Sequence, residues 1–293
     1  AHILAAPGSG FNDGCCNDGR YSSSKATGLA RVAFDLSKDA MVYASIATGY
    51  KSGGLQDLGD KYDPETLTSY ELGSKTTLFG GTVTFNNAVY HSRFKGYQFA
   101  GPLMRPDGSR AFGFANAEGA TVSGLESELA ARLTPSDKLN VTLALTKAKL
   151  GKLLAFSRDY TLPACTDPVG SLVTAQCLDV SGNEMPHAPR VAATVLYERT
   201  IALGSATLSP RVGVKYESAS WLSVFNLGDG DRQKAYARID LGARYATKSW
   251  YLDAYLRNAT DERVKTSAGS TGTIFTAQYL PPRTYGANVG IDF

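Results

Sequence analysis

Residues 283–293 read RTYGANVGIDF, and this stretch decides the fold. Its alternate positions form two sets, Tyr285, Ala287, Val289, Ile291 and Phe293 against Thr284, Gly286, Asn288, Gly290 and Asp292. Such strict alternation predicts a strand with one apolar and one polar face. An aromatic residue at each end of the apolar face is typical of a strand that spans a membrane in a β-barrel. By itself the segment also fits an edge strand of a soluble β-sandwich, so the remaining sequence must distinguish the two.

The composition excludes several classes of protein. At 293 residues the chain is long enough for one large β domain or two ordinary ones. Its 30 basic and 27 acidic residues leave a net charge of only +3 without a basic run, so no nucleic-acid partner is expected. There is no phosphate-binding loop and no zinc-ligand spacing, and we expect neither a cofactor nor a metal site. No apolar stretch is long enough for a transmembrane helix. A membrane β-strand is polar at every second position, so this does not exclude a barrel.

The connections between the alternating segments are sorted by length. Short connections at residues 37–39, 80–81, 135–138, 203–205 and 248–249 alternate with long ones at residues 51–65, 100–114, 151–187, 218–232 and 261–282. An antiparallel up-and-down barrel has short turns at its periplasmic rim and long loops at its extracellular rim. A β-sandwich has no reason to sort its loops in this way, and the sequence therefore predicts an all-β transmembrane barrel.

Charged residues within the strands follow the polar parity. Those predicted to face the lumen are Glu71, Lys75, Glu126, Glu128, Arg132, Arg238, Asp240, Arg244, Asp253 and Arg257. The pattern obeys the lipid constraint, because Lys or Arg at the lipid midplane costs roughly 2–4 kcal/mol. Residues 82–97 obey it less well, since Asn87 and His91 share the parity of Val83, Phe85 and Val89. A bulge, or a strand that leaves the bilayer, is the expected explanation.

The strand count implies an incomplete barrel. We count about eleven strands, whereas closed bacterial single-chain barrels have an even number. An unpaired backbone edge is not viable in lipid. About eleven strands is half of a 22-stranded barrel, the size of plugged outer-membrane transporters. Residues 1–24 have loop composition and none of the features of a signal peptide. We therefore expect an extracellular loop segment at residues 1–24 and the C-terminal half of a barrel at residues 25–293.

Two motifs carry a family resemblance. Residues 43–54 read YASIATGYKSGG and residues 62–75 read YDPETLTSYELGSK. Together they resemble the paired mid-barrel strands of TonB-dependent outer-membrane receptors, in which one strand rises to an extracellular loop and the next descends to a tight turn. FNNAVY at residues 85–90, GYQ at residues 96–98 and the terminal Phe293 also resemble this family. The resemblance extends from about Ala26 to Phe293.

The resemblance implies an active transporter in the outer membrane of a Gram-negative bacterium. A 22-stranded barrel would enclose an N-terminal plug, and TonB would pull on that plug to import a scarce small-molecule nutrient: a ferric siderophore or other chelate, haem, cobalamin or an oligosaccharide. The implied partners are outer-membrane lipid, the plug and first barrel half absent from this chain, TonB acting through that plug, and the barrel-assembly machinery. That machinery would read the terminal strand at Tyr285, Ile291 and Phe293. A passive porin or an attachment protein for phage or partner cells is the alternative.

Candidate binding residues lie near the predicted extracellular rim. They are Tyr50, Tyr97, Gln98, Phe99, Arg105, Arg110, Trp221 and Tyr279. Aromatic rings stack on a sugar or a catecholate, and Arg pairs with an anionic chelate. The alternative for each aromatic residue is the girdle at the membrane interface. For the lumen-facing charges, a polar wall along the transport path and a lattice that holds the plug and the interior are both open.

The cysteines and histidines complete the list of reactive groups. Cys165 and Cys177 lie in the longest loop, and an extracellular setting predicts a disulfide between them. Cys15 and Cys16 are adjacent, and their pairing is open. His2, His91 and His187 belong to no recognisable catalytic motif. His91 and Ser92 are neighbours in sequence and so point to opposite faces of a strand. We expect no enzymatic activity.

Overall fold

The chain forms one long antiparallel sheet whose strands follow each other in sequence order. The computed structural model describes residues 21–56, 60–104, 110–156, 164–165, 175–271 and 274–291. The strands are β1 (Leu29–Ser37), β2 (Ala40–Lys51), β3 (Glu65–Leu78), β4 (Val83–Lys95), β5 (Gly119–Arg132), β6 (Asp137–Leu150), β7 (Val191–Arg199), β8 (Ala206–Glu217), β9 (Tyr236–Ala246), β10 (Trp250–Arg257) and β11 (Thr284–Ile291). A short strand, Ile201–Leu203, also pairs with β8. The predicted strand count is confirmed.

The two ends of the sheet differ in their connections, as predicted. At one end the turns are tight, and left-handed residues make the reversals possible: Phe79, Gly80 and Gly81 between β3 and β4 have φ of 51°, 64° and 94°. At the other end the loops contain hairpins of their own. These are Gly54–Leu55 with Lys61–Tyr62, Gln98–Met104 with Arg110–Asn116, Leu154–Phe156 and Ala164–Cys165 with Ala175–Asp179, Ser220–Trp221 with Arg232–Gln233, and Lys265–Thr271 with Ile274–Tyr279.

The strand register gives the sheet one apolar and one polar face. Directly opposed residues share a face, so the row Phe85, Leu129, Val141 and Val195 is apolar along its whole length. The apolar face is also the exposed one: Leu72 is 63 %, Val89 is 55 % and Val289 is 70 % exposed. A continuous apolar surface of this extent is unfavourable in water. We therefore assign it to the lipid side, which makes the opposite face the inner wall of the barrel.

All charged residues predicted to face the lumen fall on the polar face. The register places Glu71 opposite Tyr90, Glu128 opposite Thr142 and Arg244 opposite Asp253. The others keep the same parity on their strands. The register thus places these residues on one face of the sheet, while their exposure to a lumen and their role stay predictions.

Glycines on the polar face make room for tyrosine rings from the neighbouring strand. A Cβ on Gly124 would lie 2.6 Å from Tyr90 Oη, and a Cβ on Gly286 would lie 2.5 Å from Tyr255 Oη. The guanidinium carbon of Arg257 then lies 4.9 Å from the centre of the Tyr255 ring, on the same wall. Both tyrosine rings cover backbone that would otherwise face the lumen, and Arg257 adds a cation–π contact to the Gly286–Tyr255 pair.

The buried apolar core lies among the long loops and not within the sheet. A cluster of Ala117, Leu150, Leu153, Ala155 and Val180 is almost fully buried there. A barrel wall is a single layer, so burial within it is limited. No helix in the described residues is long and apolar enough to cross a membrane. Among those residues, neither β1 nor β11 has a strand on its outer side. Phe293 lies outside them.

Candidate functional site

Three long loops converge on the buried cluster and form a packed cap at one end of the sheet. The described residues within 96–118, 151–190 and 218–235 contribute to it, and we call this assembly the loop cap. Half-buried apolar side chains surround its core: Tyr97, Phe99, Leu178, Met185, Val224 and Phe225. The long loops thus carry their own hydrophobic core, which is what a binding surface with a defined shape requires.

Amide side chains connect the loops. Gln98 is only 5 % exposed, and its Nε2 donates to the carbonyl oxygens of Ser52 and Asp63, both at 2.9 Å. The Gln98 backbone N–H donates to Glu65 Oε2 at 2.7 Å. Asn116 accepts from the Asp63 N–H at 2.8 Å. These bonds join the loop after β2 to the loop after β4, and they favour a structural role for Gln98 over contact with a substrate.

A second set of amides holds the remaining loops. Asn183 Nδ2 donates to the carbonyl oxygen of Val224 at 3.0 Å, across the interface between two loops of the cap. Asn258 is completely buried directly after β10. Its backbone N–H donates to Asp240 Oδ1 at 2.7 Å, and its φ is 51°. Asp240 therefore anchors the start of the last long loop, a role that the sequence analysis did not foresee.

The aromatic candidates are not equivalent. Tyr97 and Phe99 both pack against the core of the loop cap. Burial raises the pKa of the Tyr97 phenol, and the nearby Glu65 carboxylate raises that pKa further. Trp221 lies half-exposed at the rim, with the guanidinium carbon of Arg232 5.4 Å from its ring centre. Tyr279 is 56 % exposed on the hairpin before β11. Trp221 and Tyr279 are thus the more accessible rings.

Three further candidates have different outcomes. Tyr50 lies opposite Thr66, in register with the apolar face, which favours the interfacial girdle over a place in the lumen. Arg105 lies outside the described residues, and for Arg110 only the backbone strand is described. Contact of any of them with substrate therefore stays a prediction.

A basic recess of about 490 Å³ lies on the polar face of β7–β11. Arg211, Lys215, Arg238, Arg257, Asp240 and Asp253 supply its charge. Arg211 Nη2 lies 2.7 Å from Asp253 Oδ1, and Asp240 Oδ1 accepts a hydrogen bond from the Asn258 N–H. Arg238 Nε is buried without a hydrogen-bond partner. Positive charge thus exceeds negative charge, and the recess suits an anionic group.

The sequence analysis missed Arg211 and Lys215, although their parity on β8 was a usable signal. Arg211 lies opposite Gly242, and Lys215 lies opposite Arg238. The described residues contain no group of three or more His, Cys, Asp or Glu side chains that would hold a metal ion.

His91 and Asn87 lie on the apolar face in regular register, so the expected bulge is wrong. His91 Nδ1 lies 2.7 Å from Ser123 Oγ, and Ser127 Oγ donates to Asn87 Oδ1 at 2.8 Å. Cross-strand hydrogen bonds thus satisfy these polar groups. The His91–Ser123 pair, unforeseen from the sequence, does not resemble a catalytic triad. Arg93 Nε donates to His91 Nε2 at 3.2 Å, where a triad has a carboxylate that orients the imidazole.

Cys177 forms a disulfide and is almost fully buried. Its strand pairs with that of Cys165, and the register places Cys165 opposite Ala175. The side chain of Cys165 lies outside the described residues, as do Cys15 and Cys16. The predicted bond between Cys165 and Cys177 therefore stays a prediction, as does the assignment of residues 1–24 to a loop.

Comparison with known proteins identifies a family whose model matches this chain. A family model described as TonB-dependent receptor-like, β-barrel, matches residues 6–259. The pesticin receptor of Yersinia pestis is 25 % identical over 288 residues, which cover 94 % of this chain and 37 % of that protein. A probable TonB-dependent siderophore receptor of Acinetobacter baumannii, PiuA, is 25 % identical over 270 residues, which cover 85 % of this chain and 32 % of that protein.

Solved structures share the fold. The ferric yersiniabactin uptake receptor FyuA from Yersinia pestis aligns with a TM-score of 0.72 at 24 % identity, over 91 % of this chain and 37 % of that one. The copper transporter OprC aligns with a TM-score of 0.62 at 17 % identity, over 90 % of this chain and 40 % of that one. The chain thus spans about a third of the length of the curated relatives it matches.

Proposed function

Because the chain belongs to the TonB-dependent receptor-like β-barrel family, we propose that it forms part of the wall and loops of a receptor that imports a ferric chelate with energy supplied through TonB. Barrels of this family lie in the outer membrane of Gram-negative bacteria, and the exposed apolar face of β1–β11 fits that setting. The plug and the TonB contact would be supplied by sequence that this chain does not contain.

The basic recess is the observation that carries the choice of cargo. Ferric chelates built from catecholate, phenolate or carboxylate groups are anionic, and guanidinium groups bind such oxygens strongly. Arg238 offers a buried N–H without a protein partner in that recess. The relatives support the same cargo class by their names, as a ferric yersiniabactin uptake receptor and a siderophore receptor. Cobalamin and neutral oligosaccharides have less need of an excess of arginine and lysine.

The proposal makes no use of catalysis. The named relatives are receptors and transporters. In the described His91–Ser123 pair, the second ring nitrogen accepts a hydrogen bond from Arg93 Nε, where a catalytic triad has a carboxylate. We therefore propose that the protein binds and releases its ligand without chemical change.

The test is uptake by the full-length protein in its own outer membrane. Cells would receive radioactive ferric siderophores of the catecholate, phenolate and hydroxamate classes, with cobalamin and a maltooligosaccharide as comparison cargo. We expect energy-dependent uptake of one ferric chelate, which is lost when TonB is deleted. Arg238→Gln should weaken binding of that chelate about tenfold or more, since a hydrogen bond to a charged group contributes about 1.5–3 kcal/mol. Lys138→Gln, on the polar face but outside the recess, is the control.

The uptake experiment also distinguishes the proposed transporter from the alternative, a passive porin. Cargo entry that persists without TonB and without a proton gradient would indicate a passive porin. Uptake of cobalamin or the oligosaccharide in place of every chelate would overturn the proposed cargo. Binding that falls equally in Arg238→Gln and Lys138→Gln would remove the recess from the argument.

Binding of a protein ligand is a second candidate function, and the names of two similar proteins support it. One relative is a pesticin receptor, and one structural neighbour was solved as a complex with pyocin S2. The loop cap, with its own buried cluster, offers a surface for such a partner, and Leu227 in the cap and Tyr279 on the hairpin before β11 are exposed. Binding of a protein ligand that persists after Tyr279→Ser and Leu227→Ser would exclude this part of the surface.

A further inference from the structure

Three polar residues form one row on the lipid-facing side of the wall, within the apolar surface. The register places Asn87 on β4 between Ser74 on β3 and Ser127 on β5. All three are half-buried, and we call them the polar notch. On β4, Asn87 has the parity of Phe85 and Val89, which belong to the apolar face. The notch therefore meets the surroundings of the barrel and not its lumen.

The notch lies deep in the hydrocarbon layer. Phe85 and Leu129 flank it on the side of the tight turns, and Val89 and Leu125 flank it on the side of the long loops. Successive rows on one face are about 7 Å apart along a strand, and the apolar band of such a barrel is about 25 Å tall. An apolar row on each side thus separates the notch from headgroups and water. The acyl chains around it offer no hydrogen-bond partner.

Hydrogen bonds within the wall occupy only part of the notch. Ser127 Oγ donates to Asn87 Oδ1 at 2.8 Å, and this bond uses one end of the amide. Among the described residues, neither Asn87 Nδ2 nor Ser74 Oγ has a hydrogen-bond partner. A polar group without a partner is unfavourable in hydrocarbon. A neighbour that supplies donor and acceptor groups at this depth would satisfy both atoms.

We propose that two copies of the receptor pair side by side in the membrane through the polar notch. The inference goes beyond the cargo and rests on the assignment of the apolar face to lipid. Two copies in one membrane share their orientation and depth, so a two-fold axis along the membrane normal brings Asn87 to Asn87 of the partner subunit. A carboxamide has two N–H donors and an oxygen with two lone pairs, so each amide can donate to the other while Ser127 stays bound.

The chemistry of the row favours a second copy over a different protein. From β2 to β9 the row is uncharged, and its residues are Val42, Ser74, Asn87, Ser127, Leu143, Ala193, Tyr216 and Ala237. A complementary surface must be neutral and must present a donor and an acceptor at the same depth, and the same row of a second copy does so. The short serine side chains allow close approach, and the exposed Leu72 and Val89 would pack around the paired amides.

The first test measures pairing of the full-length receptor in lipid vesicles, by energy transfer between labelled copies at increasing protein-to-lipid ratio. Asn87→Leu should weaken pairing about 5- to 30-fold, which is the contribution of a hydrogen bond between polar side chains of membrane segments. Asn87→Gln keeps the amide and should retain most of the pairing. Asn140→Leu makes the same change on the polar face of β6, and this control should pair as the unmodified receptor does.

The second test locates the contact by oxidation of engineered cysteines in the outer membrane. Val89→Cys places a thiol one row from the amide on β4, whereas Val195→Cys places one on the apolar face of β7, three strands away. Two copies of the Val89→Cys receptor should become cross-linked, and two copies of the Val195→Cys receptor should not. Adding Asn87→Leu to Val89→Cys should remove the cross-link. The unmodified receptor, with its own cysteines, should give none.

Equal pairing of the Asn87→Leu receptor and the unmodified receptor would overturn the proposal. A cross-link through Val195→Cys in place of Val89→Cys would put the contact elsewhere on the wall and overturn it too. Cross-linking of the Val89→Cys receptor to a different protein would rule out the second copy as the occupant. A lower urea midpoint for Asn87→Leu with unchanged pairing would confine the amide to a role within its own wall, again against the proposal.

Discussion

A single arginine placed on either face of β6 tests the assignment of lipid and lumen. Val141 lies between Leu129 and Val195 on the apolar face. Thr142, the next residue, lies between Glu128 and Thr194 on the polar face. We expect Val141→Arg to destabilise the barrel strongly and Thr142→Arg to have little effect. The two variants share a strand, a depth and a charge change, so they differ mainly in the direction of the new side chain.

The expected difference follows from the cost of charge in lipid. Arginine on the lipid face costs roughly 2–4 kcal/mol at the midplane. Since about 1.4 kcal/mol corresponds to tenfold in an equilibrium constant, Val141→Arg should shift the folding equilibrium about 30- to 1000-fold. On the other face the new guanidinium would lie beside the Glu128 carboxylate, and a solvated pair of this kind contributes about 0–1 kcal/mol.

The measurement is reversible urea unfolding of the full-length protein in lipid vesicles, followed by tryptophan fluorescence and heat-modifiable migration. Val141→Arg should lower the midpoint clearly, whereas Thr142→Arg should stay within error of the unmodified protein. Equal losses in both variants would refute the assignment of faces. A larger loss in Thr142→Arg would place lipid against the polar face and contradict the barrel itself.

Three further changes test the wall and the loops. Gly286→Ala should cost about 1–3 kcal/mol in the same unfolding assay, since its Cβ would meet the Tyr255 ring, and Tyr255→Ala added to it should recover most of that loss. Cys177→Ser should abolish a cross-linked peptide that contains Cys165 in non-reducing maps while heat-modifiable migration persists; free thiol at Cys165 in the unmodified protein would contradict the pairing. Asp240→Ala should leave a buried N–H unsatisfied after β10 and open that loop to limited proteolysis, and an unchanged cleavage pattern would argue against this anchor.

The strands, their faces and the sorting of the loops were predictable from the sequence because the two-residue period is a local property. Each strand reports its own parity, so Glu128 and Arg244 were assigned to the polar face without knowledge of their neighbours. Lipid reinforces the signal, since a charge on the wrong face is costly. The regular turn lengths fixed the antiparallel order. For these reasons the strands of the wall could be predicted from local sequence alone.

The contacts between strands and loops were not predictable in the same way. Gln98 bonds to the backbone 35 and 46 residues away, and His91 to a serine 32 residues away. Parity states which face a side chain occupies but not which residue lies opposite, because that depends on register. The sequence therefore indicated His91 as an anomaly without revealing Ser123. Gln98 likewise has a side chain suited to binding a ligand, but its amide hydrogen-bonds to carbonyl groups of the loops.

The wall and the loop cap are stabilised by different interactions, and this separation bears on function. The wall depends on inter-strand hydrogen bonds and on the contact of its apolar face with lipid, as at Val141 and Leu129. The cap depends on its own buried cluster around Val180 and on amide bonds such as those of Gln98. Residues of the cap surface can therefore change without loss of the barrel, provided that the cluster and the amides remain. Under the proposed function, accessible rim residues such as Trp221 and Tyr279 could therefore vary with the cargo, while the strands of the wall and the buried cluster of the cap secure the fold.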